Sequence, residues 1–244
     1  MTFTPASSRL VAHGRWPNDV DVWHVHIPSG LTGWRSMELH LSEEERFRAA
    51  RFMRDQDRFR FAATRAALRA LLSIRTGKAE DTLRFSLGQY GKPLLDGHPQ
   101  ISFNVTHSGQ HALIAVSDSR RVGVDVEVID PSIRWRELLD LVCTGAEQQT
   151  VVSSSKDSQP QLFFRCWTAK EALLKAVGVG LTEGLCGITL DLLSPGGQWR
   201  CDKPNEGPGT SLFQFHWLSE IPDYIGCVAF EKSTSQVHDD VFHS

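Results

Sequence analysis

The sequence predicts an α/β fold, more strictly α+β, built as a pseudo-dimer of two similar α/β subdomains. Three observations lead there. Segments of strand-type and helix-type periodicity run in the order strand, two helices, three strands, and that series then occurs a second time. The join between the two series falls near Ser117–Arg121. The 244 residues suffice for one large domain or two small ones with a sizeable core. We therefore divide the chain into 1–117 and 118–244, with a polar tail from about residue 232. The halves share a pattern of elements and no evident residue identity.

In the first half, Asp21–Pro28 alternates with period two and reads as a strand. Ser42 with Glu45 three residues on forms a capping box, which starts a helix running to about Met53. A second helix spans Asp57–Ile74, packs through Phe61, Ala62, Leu68, Leu71 and Leu72, and stops at Gly77. Leu83–Leu87 is a short strand and Gly88–Pro93 a turn. Strands Ile101–Val105 and His111–Ser117 follow, joined by Thr106–Gly109.

In the second half, Arg121–Ile129 is a strand and Trp135–Leu141 a helix. Thr144 with Glu147 forms another capping box and opens a shorter helix. Ser153–Pro160 is a polar loop. Phe163–Gly178 is a helix of strong formers without proline, closed by Gly178. Strands are predicted at Gly187–Leu192, Leu212–Trp217 and Tyr224–Phe230.

Composition narrows the function classes. The chain is 41% hydrophobic and 23% charged, ordinary for a globular protein. A net charge of −3 gives no global basis for nucleic-acid binding. Arg46, Arg48, Arg51, Arg54, Arg58, Arg60, Arg65 and Arg69 nonetheless crowd one region, which leaves a local anionic partner open. The five cysteines are scattered, odd in number and free of CxxC pairs. That argues against a disulfide framework or a cysteine zinc site and suits a reducing cytoplasm. No apolar run approaches the ~20 residues of a membrane span, and no signal-peptide pattern opens the chain.

The chemistry concentrates in two segments. On the strand Arg121–Ile129, Val122, Val124, Val126 and Val128 point to one side and Gly123, Asp125 and Glu127 to the other. Burying two unpartnered carboxylates is very costly, while exposing their face leaves the valines half-solvated. A divalent cation resolves the conflict: Mg²⁺ takes hard oxygen ligands and keeps positions for water and phosphate. Glu171 can add a third carboxylate from the helix, whose polar arc holds Thr168, Glu171 and Lys175. Lys170 falls on the apolar side, near Phe163, Leu174 and Val177.

Taken alone, that helix reads as a core element with a Glu171–Lys175 pair and Lys170 reaching the rim. Beside the acidic strand, Lys170 and Lys175 flank Glu171 so that a metal and two ammonium groups can face one polyanion. Lys92, between Gly91 and Pro93, sits on a rigid turn within reach of a phosphate. Asn104–Ser108 supplies hydrogen-bond donors at a strand end. The sum is a Mg²⁺-dependent site for a phosphorylated ligand. Walker, GxGxxG, GxSxG and HExxH patterns are absent, which disfavours the common nucleotide-binding and hydrolase classes.

Gly123-Val124-Asp125-Val126-Glu127 and Trp167-Thr168-Ala169-Lys170-Glu171-Ala172-Leu173-Leu174-Lys175 resemble the two signature motifs of the Sfp-type 4′-phosphopantetheinyl transferases. Gly91-Lys92-Pro93 and Phe103-Asn104-Val105-Thr106-His107-Ser108 are similar to that family's two upstream motifs, in the family's order. The resemblance covers roughly Leu41–Leu190. It implies the family's pseudo-dimeric fold and transfer of the phosphopantetheine arm of coenzyme A to a serine of an apo acyl or peptidyl carrier protein. The implied reaction uses Mg²⁺ and releases adenosine 3′,5′-bisphosphate.

The resemblance further implies metal ligation by Asp125, Glu127 and Glu171, with Glu171 or Glu127 as general base. It assigns Lys175 to the pyrophosphate, with Lys170 beside it. Lys92, Pro93, Thr106 and His107 fall at the adenosine bisphosphate end, Arg60 at the 3′-phosphate and Arg48 in the same pocket. Thr106 replaces the family's usual serine, keeping the hydroxyl, and Val124 and Val126 replace isoleucines. A monomer in the cytoplasm is expected, without nucleic acid or membrane. Two other classes compete: a coenzyme A or nucleotide-binding module without turnover, and an adaptor whose arginine-rich helix grips an acidic partner. Turnover discriminates among them.

Overall fold

Alternating apolar residues along seven-residue segments give the first lobe its strands. The computed structural model describes residues 6–27, 37–130, 132–178, 185–201 and 211–232. In the first lobe β1 (Ser7–Arg9), β2 (Val20–His26), β5 (Ser102–Ser108) and β6 (His111–Ser117) form a four-stranded sheet in the order β1-β2-β6-β5. A hairpin, β3 (Phe85–Leu87) and β4 (Pro93–Leu95), stands apart from it. In the second lobe β7 (Val122–Val128), β8 (Gly196–Cys201), β9 (Ser211–Leu218) and β10 (Tyr224–Glu231) form a sheet in the order β7-β10-β9-β8.

The predicted repeat appears here as topology. In each lobe the first long strand pairs with the last, and the last with the one before it: β2-β6-β5 and β7-β10-β9, all antiparallel. The lobes differ in where the outer strand is added, β1 beside β2 and β8 beside β9.

Helices α1 (Glu43–Ala50) and α2 (Asp55–Thr76) serve the first lobe; α3 (Leu139–Val142), α4 (Gly145–Ser153) and α5 (Gln159–Val177) serve the second. Both predicted capping boxes form, Ser42 with Glu45 and Thr144 with Glu147. Each satisfies two amides that a helix start leaves open. Gly77 and Gly178 end α2 and α5 at φ 68° and 83°, a left-handed conformation that favours glycine. Pro160 lies in the first turn of α5, where its missing N–H removes no helical bond.

Three apolar clusters hold these layers. Phe59, Ala62, Ala63, Leu68 and Leu72 of α2 pack on Val25, Phe103, Ile114 and Val116. Phe163, Cys166, Ala169, Leu173 and Ala176 of α5 pack on Phe213, Phe215, Cys227 and Ala229. The third cluster joins the lobes: Trp16, Val20, Val22, Leu113 and Ala115 meet Val122, Val124, Val126, Leu218 and Val228. Burial of each such valine or leucine contributes about 1.5–3 kcal/mol.

Local expectations change at two places, and β8 lies where no strand was expected. Gly187–Leu192 is not a strand; a 3₁₀ turn at Leu185–Gly187 leads into irregular chain. Ile188, Leu190 and Leu192 are buried and Thr189 and Asp191 exposed, the alternation of a strand. The Leu190 N–H, however, donates to Glu147 Oε1 at 2.8 Å instead of to a strand. The predicted connection Thr106–Gly109 is mostly strand, since β5 continues to Ser108. The turn Gly88–Pro93 is the bend of the β3–β4 hairpin. The polar tail beyond residue 232 lies outside the described residues. Among the described residues no helix is long and apolar enough to cross a membrane.

Candidate active site

Gly123 sets how close α5 comes to β7. A Cβ at this position would lie 2.0 Å from the Ala172 carbonyl oxygen and 2.4 Å from the Ala176 nitrogen. The helix backbone therefore rests directly on the strand. Residues 125 and 127 share that face of β7. Asp125 is 2% exposed and Glu127 half-buried.

The Lys175 ammonium donates to Asp125 Oδ1 at 2.7 Å. The Thr106 hydroxyl, from β5 of the other lobe, donates to the same oxygen at 2.9 Å. Asp125 Oδ2 is buried with no hydrogen-bond partner. Ser108 of β5 donates to Glu127 Oε2 at 2.9 Å. The ion pair of Lys175 is thus with the strand, not the i,i+4 pair with Glu171 that the helix alone suggests.

Electrostatics couples the three acids. Burial raises the pKa of Asp125, against the opposing pull of Lys175 and Thr106. Glu127 is pushed up to about 7 by burial and then by the charge of Asp125. Burial, followed by Asp125, also raises Glu171, while Lys175 lowers it. Burial destabilises each of the three anions, and the charge of Asp125 adds to this at Glu127 and Glu171, the condition that a bound cation relieves. The orphaned Oδ2 of Asp125 and an all-oxygen donor set fit a hard divalent ion such as Mg²⁺. The three side chains share one field without closing on a point: their ligand atoms do not all lie within 4.8 Å of one another, as those of Cys143, Glu147 and Cys166 do.

The other predicted residues divide. Thr106 joins the acids directly. His107 is at the exposed edge of β5; desolvation, then the charges of Arg60 and Lys175, lower its pKa. Arg60 donates to the Gly109 carbonyl at 2.9 Å and to Asp57 at 3.1 Å, which holds it beside His107. Arg48 is exposed and its guanidinium lies 5.3 Å from the centre of the Phe61 ring. Lys92 donates to the carbonyls of Val122 and Ala176 at 3.0 and 3.2 Å. That places it at the opposite end of β7 from Glu127, next to the α5 terminus. Burial, then Arg121, lowers its pKa to about 8. Pro93 begins β4.

Lys170 requires a correction. It is 0% exposed, neither at the rim nor beside the acids. Its ammonium donates to Glu147 Oε2 at 2.6 Å and to the Val142 carbonyl at 2.7 Å. Consecutive helix residues point about 100° apart, so Lys170 and Glu171 face different neighbours. Glu147 in turn accepts the N–H groups of Thr144 and Leu190. A closed buried network ties α3, α4, α5 and the chain after α5 together, and the carboxylate next to Cys143 and Cys166 is fully engaged within it.

Sequence reasoning places Ser108 among the donors of Asn104–Ser108 but does not assign it to Glu127. Besides its bond to Glu127, its oxygen accepts the Val128 N–H at 3.2 Å. The signal was the period-two run Ser102, Asn104, Thr106, Ser108, which puts four polar side chains on one face of β5.

Two lobes of one topology meet at a coupled acidic cluster with a lysine at their junction. A family model for the 4′-phosphopantetheinyl transferase superfamily matches residues 121–228, and one for the N-terminal part of a 4′-phosphopantetheinyl transferase matches residues 28–119. The Nostoc 4′-phosphopantetheinyl transferase HetI is 31% identical over 169 residues, 68% of this chain and 71% of its own. The Bacillus subtilis 4′-phosphopantetheinyl transferase Sfp is 29% identical over 156 residues, 64% of this chain and 68% of its own. A Synechocystis protein, slr0495, is 39% identical over 147 residues, 59% of this chain and 60% of its own. The chain belongs to the 4′-phosphopantetheinyl transferase superfamily and is an enzyme of that kind.

Proposed function

We propose that the chain transfers the 4′-phosphopantetheine arm of coenzyme A to a serine hydroxyl of an apo acyl or peptidyl carrier protein, with Mg²⁺, as a cytoplasmic monomer. The serine oxygen forms a bond to the phosphorus carrying the pantetheine arm, the pyrophosphate bond breaks, and adenosine 3′,5′-bisphosphate leaves. The observation that carries this reading is Asp125, a buried carboxylate with one oxygen held by Lys175 and Thr106 and the other unpartnered.

Asp125, Glu127 and Glu171 would hold Mg²⁺, which when bound supplies positive charge to the pyrophosphate and its leaving group. Lys175 adds an ammonium to the same region, where negative charge develops. Glu127 or Glu171 accepts the serine proton, directly or through water. Ser108 fixes the orientation of Glu127. Arg60 and His107 provide cationic or hydrogen-bonding groups for the adenosine bisphosphate end, with Arg48 at its margin; Lys92, held by the Val122 and Ala176 carbonyls at the far end of β7, and Pro93 beside it do not join them. The test is incubation with coenzyme A, Mg²⁺ and a panel of apo carriers, read by intact mass. A gain of one phosphopantetheine that requires both Mg²⁺ and Asp125 supports the reading; coenzyme A binding without any mass gain across the panel favours a binding module.

A further inference from the structure

Outside the acidic cluster, three imidazoles gather on one face of the first sheet. His24 and His26 are two apart on β2, so they share a face. His26 is directly opposite His111 of β6, and His24 is opposite Leu113. Val20 and Val22 on β2, and Leu113 and Ala115 on β6, belong to the cluster that joins the lobes. The histidines continue that same face to the point where the apolar packing ends. Tyr224 of the other lobe closes one side, its ring centre 4.6 Å from that of His111 in an edge-on arrangement.

We infer that His24, His26 and His111 form a binding site for one divalent transition-metal ion of the Zn²⁺ type. His24 Nε2 and His111 Nδ1 lie 2.7 Å apart, with ring centres at 4.9 Å. Two neutral imidazoles at that distance share one proton, and moving it to the far nitrogen of its ring leaves two lone pairs facing each other. Zn–N bonds of about 2.0–2.1 Å at a tetrahedral angle need the nitrogens about 3.3 Å apart, so the pair opens by well under 1 Å. The His26 ring centre is 5.4 Å from that of His111; the ligand atoms of the three rings, like those of the three acids, do not all lie within 4.8 Å of one another, so ligation requires the exposed His26 side chain to turn inward. Water completes the shell.

The protonation states suit ligation. Burial, then His111 and His26, lowers the His24 pKa to about 4, and burial with His26 also lowers His111. Both rings are neutral at pH 7, so no proton is displaced when the metal binds. Ligand type separates this site from the acidic one: imidazole selects Zn²⁺, Ni²⁺ or Cu²⁺, whereas Mg²⁺ prefers carboxylate oxygen. The inference does not depend on the transferase reading.

The test uses full-length protein without a histidine tag, in excess Mg²⁺ to occupy carboxylates, titrated with Zn²⁺ by calorimetry. One equivalent binding at micromolar concentration or tighter is expected, with a rise in melting temperature. His24→Ala, His26→Ala and His111→Ala should each weaken binding at least tenfold. The double variant Cys143→Ser/Cys166→Ser should leave it unchanged. Tetrahedral Co²⁺ absorption lost in His111→Ala gives a signature that fold stability does not produce. Where His24→Ala or His111→Ala melts early, His26→Ala, whose side chain is exposed, decides the matter. Binding that survives His26→Ala, binding lost in the cysteine variant, or no uptake at tens of micromolar Zn²⁺ would overturn the assignment.

Discussion

The side-chain oxygen of Asn104 accepts the backbone N–H of Val124 at 2.9 Å. Ser102 and Ser108 do the same for Val122 and Val128 at 3.1 and 3.2 Å. The two sheets meet along β5 and β7 through these side chains, not through a backbone ladder. At the remaining position of the row the Thr106 hydroxyl turns to Asp125, so the seam and the acidic cluster share one strand face.

Asn104→Leu removes one of these acceptors and leaves the Val124 N–H buried and unpartnered. A loss of about 1–3 kcal/mol is expected in denaturant unfolding. Stability equal to that of the parent would mean that the seam bond contributes nothing.

Asp125→Asn preserves shape and removes the charge. Transfer activity should fall at least about a hundredfold, while the melting temperature holds or rises, because burial penalises the anion. Turnover assays and calorimetry on the same preparation check both halves of the expectation.

Lys170→Met strands the Glu147 carboxylate in the interior. The expected cost is about 3–5 kcal/mol, with KM for coenzyme A unchanged in the folded fraction. Lys175→Met should lose turnover and also cost stability, because Asp125 is then buried without its ion pair. An altered KM in the Lys170 variant alone would return that residue to the ligand site.

Glu127 titrates near 7 in the folded chain against an ordinary 4.5. Between those values the folded state holds a proton that the unfolded state has released, so this residue makes stability fall as pH rises from about 4.5 to 7. Glu171 and Asp125, also raised, act in the same direction. Melting curves in Mg²⁺-free buffer should show the decline, Glu127→Gln should flatten it, and added Mg²⁺ should stabilise more strongly at the higher pH.

Gly123→Ala forces a methyl group into the α5 backbone at Ala172 and Ala176. Neither atom is a flexible side-chain end, so strand and helix must separate. Expected is a loss of more than about 3 kcal/mol or failure to accumulate soluble protein, seen in expression and unfolding trials.

Local rules read most of the architecture. Valine alternation located β7 and its buried face, the two capping boxes placed α1 and α4, and Gly77 and Gly178 ended their helices. What escaped depended on partners far away in the chain. Ile188, Leu190 and Leu192 alternate like a strand, but Glu147 supplies the partner for one of their amides. Lys170 was legible as a cation on an apolar face, yet its counter-charge lies on another helix. At the site, the motifs named Asp125, Lys175 and Thr106, while their bonds to one another and the orientation of Glu127 by Ser108 needed the inter-lobe register.

The way β5 and β7 are joined also bears on solubility. A valine-rich strand with open amides invites pairing with another molecule, and β7 is protected from this by hydroxyl and amide groups of its own chain. Severed between Ser117 and Val122, the second half would carry that bare border into solution. Tethering the lobes in one polypeptide therefore guards against clumping as well as bringing the acids and the threonine together.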